Sequence, residues 1–130
     1  MRTPTDDELR LYEAARAASR RAYAPYSSFP VGAALQPAAG GEPVLGVNVE
    51  NASYGLTSCA ERTAVFAAVT AGIHEFAAIA VHADADSAPP CGACRQVLAE
   101  FGPEMTVVYR SGGDVVAAAL AELLPDRFVP

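Results

Sequence analysis

A three-layer α/β sandwich around one mixed sheet is the architecture that the order of elements predicts. One capped helix leads, two consecutive strands follow, and helices and strands then alternate to the end of the chain. At 130 residues the length suits one domain, residues 1–130, and a hydrophobic content of 52% supplies material for its core.

The first helix opens at Thr5, which with Glu8 three residues later forms a capping-box pattern, and it runs to about Ala22. Leu9, Tyr12 and Ala15 to Ala18 give it an apolar stripe, with its arginines mostly off that stripe. Pro25 and Pro30 end it in a loop, Ala24 to Pro30. Val31 to Gln36 and Val44 to Glu50 then read as two strands joined through Gly40-Gly41, a hairpin connection. Asn51 to Thr57 is a loop, and Ser58 to Ala71 is a helix closed by Gly72. Phe76 to His82 is almost wholly apolar, which suits a strand covered on both faces. Beyond a polar loop and Pro89-Pro90, Cys91 to Phe101 forms the next helix, stopped by Gly102-Pro103. Thr106 to Tyr109 reads as another short strand, and the alanine-rich stretch Ala117 to Leu124 as a closing helix.

Nine basic residues against 15 acidic ones give a net charge of −6. A nucleic-acid binder normally carries a basic face, so none is expected as a partner, and polynucleotide editing is disfavoured. All nine basic residues are arginine, so Schiff-base lysine chemistry and the P-loop lysine are both excluded. No apolar run approaches the ~18 residues of a membrane span and no signal peptide is visible, so a soluble, cytoplasmic protein is expected.

Three cysteines cannot all pair within one chain, which points to a thiol or metal site. Cys59 stands in Ser58-Cys59-Ala60-Glu61, and Cys91 and Cys94 stand in Pro90-Cys91-Gly92-Ala93-Cys94. Each group opens a helix, where free N–H groups and the helix dipole favour thiolates. Three thiolates converging from two helix starts suit one Zn²⁺ ion per chain. They leave a fourth tetrahedral position open, as catalytic zinc sites do. Glu61, two residues beyond Cys59, is placed to act as a general acid/base rather than as a ligand. Duller readings stand beside these. Ser58 and Glu61 form an ordinary capping-box pattern; Cys91 and Cys94 suit a redox dithiol; Phe29 suits a core plug. Arg62 and Arg95 read equally well as surface charges. His74 and His82, at element ends, are expected to be neither ligands nor catalysts. A structural zinc module, with His82 or another group closing the fourth position, is the remaining alternative.

C-x-E followed after 32 residues by P-C-x-x-C is the three-cysteine form of a nucleobase deaminase signature. The chain resembles the small, single-domain cytidine deaminases of pyrimidine salvage, which act on free nucleosides. The resemblance runs through Ala24-Pro25-Tyr26-Ser27-Ser28-Phe29-Pro30-Val31-Gly32, Asn48-Val49-Glu50-Asn51-Ala52-Ser53-Tyr54-Gly55, Cys59-Ala60-Glu61-Arg62 and Pro90-Cys91-Gly92-Ala93-Cys94-Arg95-Gln96 to Leu124-Pro125-Asp126-Arg127-Phe128. It implies a mixed sheet of five strands and zinc-dependent, hydrolytic deamination of cytidine and deoxycytidine to uridine and deoxyuridine, with release of ammonia. It also implies site roles. Cys59, Cys91 and Cys94 hold the metal, and Glu61 takes a proton from water and returns it to ring N3 and the departing amino group. Phe29 packs on the cytosine ring, the Ala60 N–H meets the carbonyl edge of the base, and Asn48 and Glu50 bind the ribose. Those last two are i and i+2 on a strand, so their side chains share a face. Three thiolates outweigh the charge of Zn²⁺ and weaken it as a Lewis acid, so Arg62, which the family pattern also carries, is expected to offset them. A homotetramer is implied, with Tyr54 and Phe128 reaching toward a neighbouring subunit's site. Within the deaminase class the rival is an enzyme for a modified cytosine nucleoside such as blasticidin; Asn48-Val49-Glu50-Asn51 favours plain nucleosides.

Overall fold

The Thr5–Glu8 capping box forms as expected. Thr5 Oγ1 accepts the Glu8 N–H at 3.2 Å, and Glu8 Oε1 accepts the Thr5 N–H at 2.8 Å. It opens α1, Asp6–Ser19, in the computed structural model, which describes residues 1–130. The helix stops three residues before Ala22. Tyr23 is drawn out of it, donating its N–H to Asn48 O at 3.0 Å while its own carbonyl accepts the Glu50 N–H at 2.9 Å. This extended pairing beyond the helix competes with further helical turns.

Five strands form one sheet: β1 (Val31–Pro37), β2 (Val44–Val47), β3 (Phe76–Ala83), β4 (Thr106–Ser111) and β5 (Asp114–Ala119), in the order β2-β1-β3-β4-β5. β3 and β4 are parallel and the other neighbours antiparallel, so the sheet is mixed. The β1–β2 hairpin turns at Gly40 and Gly41, both at φ near +90°, a conformation open to glycine and costly to other residues. β2 ends at Val47, three residues before Glu50, because the chain there leaves β1 and Val49 pairs instead with Tyr23 and Ser58.

The closing segment differs most from its sequence reading. Ala117 to Ala119 belong to β5, and only Leu120–Leu123 are helical, as α4. Gly112 and Gly113, at φ +60° and +89°, form a two-residue turn that folds β5 back on β4, pairing Ser111 with Asp114. The alanines of this stretch favour helix, but the outer edge of the sheet takes them as a strand, and the Arg2 backbone pairs with Ala117 on the far side.

The remaining helices are α2 (Ala60–Thr70) and α3 (Gly92–Phe101). α2, α3 and α4 cover one face of the sheet over Ala33, Leu35, Ile79, Val81, Val107 and Tyr109. α1 alone covers the other, over Ala34, Ala78, Ala80, Val108 and Ala117. The alternation along each strand puts most of the large side chains on one face and mostly alanine on the other. Two glycines set how closely the helices sit. A Cβ at Gly32 would fall 2.0 Å from Ala15 O in α1, and one at Gly46 would fall 2.4 Å from Ala60 O and Ala64 N in α2. Gly46 therefore fixes the height of the first turn of α2 above the sheet. No helix is long and apolar enough to cross a membrane.

Candidate active site and metal centre

Cys59 and Cys91 are the N-cap residues of α2 and α3, so both helix starts deliver a sulfur to the same place. The Sγ atoms of Cys59, Cys91 and Cys94 lie within 4.8 Å of one another. Cys91 Sγ accepts the Cys94 N–H at 3.4 Å and lies 3.3 Å from Cys94 Sγ. Ligands ~2.3 Å from a tetrahedral zinc sit roughly 3.8 Å apart, so this donor set fits the ion. Cys94 is fully buried and Cys91 exposed, which gives the cluster a closed side and an open one.

The sulfurs share their charge unequally. Hydrogen bonding from Cys94, then from Arg62, holds the Cys59 thiol down at about 5. The Cys94 thiol is pushed far up, chiefly because its proton bridges to Cys59 and because it is buried. Arg62 Nη2 donates to Cys59 Sγ at 3.1 Å, one turn along α2 from its partner. It is no free surface charge.

Glu61 is only 4% exposed, and this burial pushes its carboxyl well above the ordinary range, with the Cys59 sulfur adding to the effect. The capping-box reading of Ser58 and Glu61 does not hold. The N-cap is Cys59, and the Ser58 N–H and carbonyl pair with Val49. The Glu61 carboxyl instead lines a cavity of about 340 Å³ together with Phe29, Val31, Asn48, Cys59, Ala60 and Cys91. Val81 and Ala83 at the end of β3 line it as well, as do Ser87, Ala88 and Pro89.

Asn48 is buried and already engaged. Its Nδ2 donates to Phe29 O at 3.0 Å and its Oδ1 accepts the Val31 N–H at 2.9 Å. Glu50 lines an adjoining hollow with Tyr26, Ser27, Tyr54 and Thr57, and Thr57 borders both spaces. Glu50 Oε1 accepts the N–H groups of Tyr26 and Ser27 at 2.9 and 3.1 Å; the bond from the Ser27 hydroxyl above all, and then these two, hold its carboxyl below the usual range. Phe29 is 44% exposed over the cavity. Tyr54, 75% exposed, stands edge-on to Tyr26 with ring centroids 6.0 Å apart. Phe128, 74% exposed, lines neither space.

His82 lies on the opposite face of the sheet, buried against α1 with Nδ1 2.7 Å from Tyr12 OH, and it cannot close the sulfur cluster. Nor does a dithiol of Cys91 and Cys94 account for the third sulfur. Arg95 shows what the sequence reading missed. Its Nε donates to Pro90 O at 2.8 Å and its Nη1 to Leu123 O at 2.7 Å, bracing the metal turn against α4. Its place next to Cys94, within the stretch that carries the family resemblance, is the signal the sequence offers.

Residues 5–110 match the model of the cytidine and deoxycytidylate deaminase zinc-binding region. The chain belongs to the cytidine deaminase family. The cytidine deaminase of Halalkalibacterium halodurans is 50% identical over 125 residues, covering 94% of each chain. The crystal structure of the cytidine deaminase from Burkholderia pseudomallei superposes with a TM-score of 0.87 at 52% identity, covering 96% of this chain and all of that one. The blasticidin-S deaminase of Bacillus cereus is more distant, 30% identical over 107 residues, with 75% of this chain and 76% of its own covered. The family is a zinc-binding one, and the sulfur cluster is the part of this chain that meets that description.

Proposed function

We propose that the protein is a zinc-dependent hydrolase that deaminates cytidine and deoxycytidine, a step of pyrimidine salvage. The observation that carries this reading is the buried Glu61 in the wall of one cavity with Cys59 and Cys91, whose sulfurs converge with that of Cys94 behind them. Bound by Cys59, Cys91 and Cys94, zinc supplies Lewis acidity that makes water a nucleophile near neutral pH. Glu61 moves the protons. It takes one from water as the water oxygen adds to C4 of cytosine, and delivers it to N3. A second proton passes the same way to the amino group, and ammonia departs to leave uridine. A carboxyl raised by burial can hold a proton between these transfers at neutral pH.

Phe29 packs on the base, and the Ala60 N–H, at the first turn of α2, holds its carbonyl edge. Asn48 and Glu50 take the ribose with the hydrogen-bonding capacity they retain. Glu50 and Glu61 are the carboxylates lining the two spaces, and no arginine, lysine or histidine lines either. A phosphate would meet negative charge there, so nucleosides are favoured over nucleotides. Tyr54 and Phe128 stand out from their own subunit, as do Leu56, Phe66 and Val129, and this exposed apolar surface supports a homotetramer in which they reach a neighbouring site. Three free thiols agree with a cytoplasmic setting.

Incubation of the purified protein with cytidine should shift the absorbance to that of uridine. A chelator should stop the reaction and added zinc restore it; no conversion under any of these conditions refutes the proposal. Arg62 is assigned the task of offsetting the excess thiolate charge. Arg62→Gln should therefore lower kcat by about 10- to 100-fold with zinc content unchanged, and undiminished turnover would remove that role.

A further inference from the structure

The loop that carries Phe29 is held by a relay of hydrogen bonds centred on Ser27. Ser27 Oγ accepts the Phe29 N–H at 3.0 Å and donates its own proton to Glu50 Oε2. The Ser27 N–H donates to Glu50 Oε1. On its other side the Phe29 carbonyl accepts from Asn48. Between Ser27 and Phe29 the chain reverses at Ser28, whose φ of +55° is a left-handed conformation that a non-glycine residue adopts only when its surroundings hold it there. Three of the four lone-pair sites of the Glu50 carboxylate are taken by this relay, and one, on Oε2, is left for a ligand hydroxyl.

We propose that Ser27 is a positioning residue for nucleoside binding, its hydroxyl fixing the spacing between the Glu50 carboxylate and the Phe29 ring. The inference rests on the reading of Glu50 as the sugar contact and Phe29 as the base contact. Under it, one hydroxyl makes the two ends of the nucleoside site a single rigid unit. A hydroxyl suits this place because it accepts from one neighbour and donates to the other; alanine does neither, and threonine does both. The relay holds the site in the same form for substrate and transition state, so its loss weakens both alike and appears in KM rather than kcat.

Steady-state kinetics with cytidine provide the test. Ser27→Ala should raise KM by about tenfold, the loss of one charge-assisted hydrogen bond, with kcat within about twofold of the parent. Ser27→Thr should restore KM. In a Phe29→Leu background, Ser27→Ala should add less than about twofold, because it acts through a ring already removed. An unchanged KM in Ser27→Ala, no recovery in Ser27→Thr, or penalties that multiply in the double variant would each overturn the role. If Ser27→Ala does not fold, Ser27→Cys carries the same test, keeping the volume while weakening both hydrogen bonds. A parent protein that does not turn over cytidine overturns the functional reading and this role with it. An active parent that Ser27→Ala matches in KM overturns the role of Ser27 alone.

Discussion

Glu61→Gln should lower kcat for cytidine by about 10⁴-fold, the upper end for one positioned acid/base, because the role proposed for this carboxyl is that of base and then of acid. Glutamine has nearly the shape of glutamate, and Glu61 is buried at the first turn of α2, so the amide should fit the cavity wall without disturbing Cys59. Zinc content measured by atomic emission should stay near one per chain, and KM should remain close to that of the parent. Turnover within tenfold of the parent, with zinc present, would show that the protons travel by another group. The same variant separates catalysis from a structural metal module, since a module would lose nothing.

Cys94→Ala should remove the metal. Cys94 is fully buried, and its sulfur is the innermost of the three, so neither water nor a neighbouring side chain readily replaces it. Zinc should fall to near zero per chain after dialysis, and turnover should fall with it. Because a metal that binds only the folded chain stabilises it, the thermal midpoint should drop by at least about 5 °C. A chelator should then lower the midpoint of the parent toward that of the variant and leave the variant unmoved. Retention of equimolar zinc by Cys94→Ala would mean that the cluster does not hold the ion as assigned.

Much of this site could be read before any fold was known, and the reason is local. Cys59, Ala60 and Glu61 occupy one helix start, and Cys91 and Cys94 another, so their relative placement follows from helix geometry. The leading helix was legible for the same reason, since Thr5 and Glu8 contact each other across a single turn. What stayed hidden depends on distant partners. Ala117 to Ala119 have helical preference, and only the turn at Gly112-Gly113 and the edge of β4 make them a strand. Gly-Gly between two apolar runs was the available hairpin signal. Arg95 looks like a surface charge until Pro90 and Leu123 are seen on either side of its guanidinium. Asn48 and Glu50 were read as one face of a strand, but β2 ends before both and they line adjoining spaces; their grip on the backbone of residues 26–31 requires the loop to be folded first.

The unequal faces of the sheet give the protein two opposite vulnerabilities. Beneath α1, where Gly32 and a field of alanines admit the helix at backbone distance, the hazard is growth: an added methyl or two has nowhere to go and must lift the helix. Beneath α2 and α3, where Leu35, Ile79 and Val107 fill the space, the hazard is shrinkage, because each trimmed side chain leaves a void. Neighbouring residues of one strand, such as Ile79 and Ala80, should therefore tolerate opposite kinds of replacement. Sequence drift in this chain is then confined by steric ceilings on one side of the sheet and by volume floors on the other.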